Sequence, residues 1–74
     1  MTIEQDCLLV LTKQMGPAAR AFLDRQCKYH LKKEAAALQK SDIDDLAKWC
    51  HIGTELTLGA VIAEKVKLGL LALK

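Results

Sequence analysis

The residues best equipped for chemistry are two cysteine–histidine pairs. Cys27 and His30 form a Cys-x-x-His unit, and Cys50-His51 follows 19 residues later. Together they match the ligand count of a Cys2His2 zinc site. The spacing works against such a site. Neighbouring residues on a helix diverge by ~100°, so Cys50 and His51 cannot both face one ion. No turn-forming Gly or Pro follows Cys27. Cys27, His30 and Cys50 are therefore the metal candidates, but the expectation is no metal and no other cofactor. Cys27 and Cys50 are expected in the core, His30 half-buried and His51 on the surface. A nucleophilic Cys-His pair would also need an orienting group and an oxyanion site. The chain offers no Gly-rich loop to build one, so no catalytic residue is assigned and the protein is not expected to be an enzyme.

Asp42, Asp44 and Asp45 form the second cluster. They directly follow Ser41, where carboxylates favour the positive end of a helix, and that role accounts for them. No phosphate loop or dinucleotide fingerprint is present. The third cluster is basic: Arg20, Arg25, Lys28 and Lys32 recur along one helical face. Such a face could meet nucleic-acid phosphates, but a net charge of +2 gives little electrostatic drive. A solvated face or an acidic protein partner is the simpler expectation, and nucleic acid is disfavoured.

The elements that carry these residues must be helices. Apolar residues recur at intervals of three and four, and β-branched residues are scattered. The fold class expected is all-α, a compact bundle of four short helices in a single domain, residues 1–74. Thr2 and Gln5 make a Thr-x-x-Gln capping box for the first helix. Gly16 is expected in the left-handed position that ends it, and Pro17 begins the second, which runs to about Lys33. Its apolar face reads Ala19, Phe22, Leu23, Cys27, His30 and Leu31, and Asp24 with Lys28 forms an i,i+4 pair. Beyond it, a bend or frayed end is expected through Ala35–Leu38. Ser41 is the expected N-cap of the third helix, whose inward residues are Ile43, Leu46, Ala47, Cys50 and Gly53, continued by Leu56 to about Thr57. Gly59 turns the chain into a fourth helix over Ala60–Leu73. Ala18, Ala19, Ala47, Gly53, Ala63 and Gly69 would let helices approach closely.

Composition bounds the rest. With 74 residues, 51% of them hydrophobic, the chain has one core at most and is too apolar to be disordered. Glu4 and Asp6 stand where a secretory leader needs a basic start. Glu64, Lys65 and Lys67 interrupt the apolar tail, so no membrane span is expected. Three cysteines, Cys7, Cys27 and Cys50, cannot close a paired disulfide framework, which fits a cytoplasmic protein with reduced thiols.

Three stretches carry a likeness to a known pattern. They are Met15-Gly16-Pro17-Ala18-Ala19 with Phe22-Leu23, then Asp42-Ile43-Asp44-Asp45-Leu46 with Trp49, then Leu58-Gly59 with Ala63. The chain, over about residues 8–73, resembles a small uncharacterised helical accessory domain of bacterial and archaeal signalling proteins. That domain often ends larger proteins with regulatory or roadblock-type domains. The resemblance implies a regulatory or protein-interaction role and no catalytic residues. The chain departs from the pattern in its Ala-rich segment at 34–38.

The apolar content exceeds what the inward positions of four short helices hold. Leu8, Leu9, Leu58, Leu68 and Leu71 fall off the main stripes, and Trp49 reads as an interface anchor. The expected function is thus a non-enzymatic helical interaction or regulatory module that self-associates or binds a partner protein. The alternatives are a nucleic-acid-associated regulator using the basic face, and a zinc-binding protein using the Cys/His set.

Overall fold

The computed structural model describes residues 2–74, and among them the fold is all-α. Helix α1 spans Ile3–Met15. Its start follows the sequence: the Thr2 hydroxyl accepts from the Gln5 N–H, and the Gln5 side chain accepts from the Thr2 N–H, both at 3.1 Å. Two orphan donors are satisfied reciprocally. Gly16 ends the helix with φ 61° and ψ −137°. The φ is positive as expected, but the ψ places Gly16 in the mirror image of the extended region rather than in a left-handed helical turn. Both regions favour glycine.

The second helix expected over Pro17–Lys33 is instead a composite. A 3-10 turn over Gly16–Ala18 holds Pro17, α2 spans Ala19–Gln26, and the chain then widens into a π turn over Cys27–Leu31. Lys32, at φ 59° and ψ 36°, closes it in the left-handed region. The carbonyl of Cys27 accepts from the N–H groups of both Lys32 and Lys33. The four short helices expected therefore resolve into three continuous ones of 13, 16 and 12 residues and this broken fourth. The widened turn lets Cys27 stay in the core while Ala35 and Leu38, farther along, turn back into it. The alanine run forms only a short 3-10 turn, Ala35–Ala37.

Helix α3 spans Ile43–Leu58, and its entry differs from the expectation. Ser41 lies inside a 3-10 turn, Lys40–Asp42, and caps nothing. Gln39 takes the capping place: its N–H donates to Asp42 Oδ2, and its carbonyl accepts from the Asp42 N–H, both at 2.9 Å. Gly59, at φ 95°, turns the chain directly into α4, Ala60–Leu71. Helices α3 and α4 run antiparallel. His51 stands opposite Glu64, and Lys74 reaches back to Asp44 at 2.7 Å.

The core gathers Cys7 and Leu11 of α1, Ala19, Leu23 and Cys27 of the second segment, Ile43, Leu46, Ala47 and Cys50 of α3, and Val66 and Leu70 of α4. Leu56, expected to continue the inward stripe of α3, is 83% exposed. Two successive steps of three residues, from Cys50 through Gly53, turn a helix by ~120° out of the core. The step of four from Cys50 to Thr54 stays inside, and Thr54 is buried. The accessible surface is 4526 Å². A compact chain of this mass exposes about 4,500 Å², so burial is complete for its size.

Candidate functional site

The three thiols lie on three different segments, and all are fully buried in the one core. Burial pushes Cys7 and Cys27 up to about 11, with neighbouring thiols and carboxylates adding to the shift. Cys50 is raised further, by burial first and then by Cys27 and Cys7. At neutral pH all three are neutral thiols that serve as small hydrophobes. His30 does not join Cys27 on the inner face. It is exposed and stacks on Trp49, with ring centroids 4.0 Å apart and planes within 7°. The π turn carries it off the apolar face that α-helical spacing predicts. His51, expected on the surface, is the more covered of the two, lying 3.5 Å from Glu64 and 3.9 Å from Glu55. Among the described residues no three His, Cys, Asp or Glu side chains gather in a way that could hold a metal ion.

The basic residues do not form one face. Arg20 pairs with Glu4 at 2.8 Å and with Asp24 at 3.4 Å, which raises its pKa through the Glu4 hydrogen bond first. Asp24 thus faces back to Arg20 instead of forward to Lys28 as expected. Lys28 and Lys32 share a cleft with Arg20, Lys33, Glu4, Asp24 and Glu34, where charges of both signs largely neutralise each other. Arg25 stands apart and lines a second cleft with Phe22, Met15 and Leu58. The acidic cluster also divides. Asp42 binds Lys33 at 2.9 Å, whereas Asp44 meets Lys74. The lysine hydrogen bond and then the Gln39 N–H hold the Asp42 carboxyl below its usual range.

Of the apolar residues assigned to a partner surface, Leu9, Leu58 and Leu68 are exposed. Leu8 and Leu71 are not free: both are half-buried and pack on the core. Trp49 is half-buried beneath His30, with the Lys48 ammonium 5.3 Å from its ring centre. Besides Leu56, the most exposed apolar residue is Val61, at 71%, and the sequence does not single it out; Ile52, less open, is likewise not singled out. Leu56 was assigned inward, and Val61 opens the last helix, where no stripe position marks it.

These residues sort by helix geometry. Trp49, Ile52 and Leu56 follow i, i+3, i+7 spacing on the outer side of α3, away from Ile43, Ala47 and Cys50. Val61 and Leu68 lie two turns apart on the outer side of α4, and Glu64 and Lys65 lie between them on the same side. Ala63, Val66 and Leu70 hold the inner side of that helix. No helix is long and apolar enough to cross a membrane among the described residues. Comparison with family models, curated proteins and solved structures finds nothing that matches this chain.

Proposed function

We propose that this protein is a small non-enzymatic helical interaction module that pairs with a second copy of itself through the outer side of α4. The carrying observation is the order Val61, Glu64, Lys65, Leu68 on one exposed helix face. A two-fold axis between Glu64 and Lys65 sets two α4 helices antiparallel. Val61 of each copy then meets Leu68 of the other, and Glu64 of each meets Lys65 of the other. A self-complementary patch of this kind is what an isologous dimer requires. Lys65 makes no ion pair within the described residues, so it is free for the second copy. The patch is small, and the dimer is correspondingly weak. The regulatory accessory role implied by the resemblance is consistent with a reversible contact.

Sedimentation equilibrium over a concentration series tests this reading. The expected result is a monomer–dimer equilibrium in the micromolar range. Leu68→Glu abolishes it, Glu64→Lys weakens it, and Glu64→Lys with Lys65→Glu restores it, since the exchanged charges again oppose one another. A strict monomer at high micromolar concentration, or a dimer indifferent to Leu68→Glu, overturns the proposal.

A further inference from the structure

The corner between α1 and α2 opens into a cleft of about 470 Å³ against the end of α3. Its apolar walls are Met15, Phe22 and Leu58, Ala18 and Ala21 add only methyl groups, and the neutral polar side chains of Gln14 and Thr57 complete the lining. The Gly16-Pro17 corner bends the chain so that α1 and α2 both border it, and Gly59 ends α3 beside it. Its volume lies within the range of small-molecule sites. One charged side chain lines it, Arg25, and no carboxylate does. Arg25 makes no ion pair among the described residues, whereas Arg20, one turn and a little more before it, is held by two carboxylates. A guanidinium presents a planar fork that carboxylates match in bidentate fashion, and it stays charged at all relevant pH.

We infer that this cleft binds an alkyl carboxylate, with the hydrocarbon chain over Met15, Phe22 and Leu58 and the carboxylate on Arg25. The charge pattern selects this occupant. An uncharged hydrocarbon leaves the guanidinium unused, and an ammonium head is repelled by it. The larger cleft on the other side of α2, which holds three carboxylates of its own, has no such preference. The inference is independent of pairing through α4, whose outer residues do not line this cleft.

Amide chemical-shift titration of the whole chain with decanoate, decanol and decylamine, each below its micellar concentration, is the test. Decanoate is expected to bind saturably and to shift the amides of Met15, Phe22, Arg25 and Leu58. Decanol binds more weakly, and decylamine does not saturate. Octanoate, two methylenes shorter, binds about tenfold more weakly. Arg25→Gln weakens decanoate about tenfold or more and leaves circular dichroism unchanged, because Arg25 is exposed. Equal binding of decanoate and decylamine, shifts centred elsewhere, or an Arg25→Gln variant that binds decanoate normally would each overturn the assignment.

Discussion

Val10 of α1 packs against the bare side of Gly69 in α4, so closely that a Cβ at Gly69 would stand 2.7 Å from Val10 Cγ1. Real carbon contacts do not come that near. Val10 is β-branched and cannot simply swing aside. Gly69→Ala gains up to about 1 kcal/mol of helix propensity but forces the helices apart, which costs about 1–3 kcal/mol. Net destabilisation of about 1 kcal/mol is expected in urea unfolding. Gly69→Ala made in a Val10→Ala background should instead stabilise, because the methyl then has room. Equal effects in both backgrounds would show that the contact does not set the approach. At Gly53 the added atom would meet the end of the Phe22 ring at 3.0 Å, and a ring can shift, so Gly53→Ala should be milder.

Asp42 joins two stretches of chain by accepting from Lys33 Nζ and the Gln39 N–H. Its pKa is lowered in the folded state, so the folded protein binds this proton less readily than the unfolded chain. The stability it contributes is therefore present above the ordinary aspartate pKa of about 4 and is lost as pH falls through the lower, folded value. Asp42→Asn should cost about 1 kcal/mol at neutral pH, combining a helix-entry cap with a weakly exposed ion pair. The same variant should flatten the fall in melting temperature between neutral and acidic pH. An unchanged acid profile would remove Asp42 from its cause.

The buried thiols make a third expectation. With Cys7 and Cys27 raised to about 11 and Cys50 higher still, none offers thiolate at neutral pH, and none is open to solvent. Ellman's reagent should find no rapid thiol in the native protein and three per chain after unfolding, the number in the sequence. A thiol that reacts as fast as a free cysteine in the folded protein would contradict this burial. Cys50→Ser should destabilise more than Cys50→Ala, since it buries a hydroxyl among apolar neighbours.

How much of this was legible in the sequence follows from which forces act locally. The Thr2–Gln5 box, the Gly16-Pro17 corner and the turn at Gly59 depend on neighbouring residues, and the sequence shows them. Cys7 and Leu11 of α1, and Val66 and Leu70 of α4, stand four residues apart, the spacing that keeps side chains on one helix face, and all four are buried. The break after Gln26 does not: nothing in the residues from Cys27 to Leu31 departs from helical composition. The π turn reflects the need to bring Ala35 and Leu38 back to the core, a tertiary demand that periodicity does not carry. That single change moved His30 onto Trp49. Arg25 stands apart from Arg20 for a local reason, since five residues within α2 turn a helix by ~140°. Gln26 and Thr54 were missed because polar residues are not expected inside. Both are buried, and neither Gln26 Oε1 nor Thr54 Oγ1 has a hydrogen-bond partner. Leu56 is exposed because two steps of three residues carry it off the stripe it is expected to continue, and Val61 falls on no stripe that would mark it.

Lys32 is where that tertiary demand is concentrated, and it gives a test of the break itself. It is the one non-glycine residue among those described with a positive φ, and its left-handed conformation costs an L-residue with a Cβ about 1–2 kcal/mol. Its side chain is exposed and makes no ion pair within the described residues, so little is lost by removing it. Lys32→Gly relieves the backbone cost and, against glycine's greater freedom in the unfolded chain, should stabilise by up to about 1 kcal/mol. Lys32→Val, which adds a branched Cβ in the same conformation, should destabilise by a comparable amount. If Gly lowers the melting temperature and Val leaves it unchanged, residue 32 is not left-handed in solution. The second segment would then continue as an α-helix toward the alanine run.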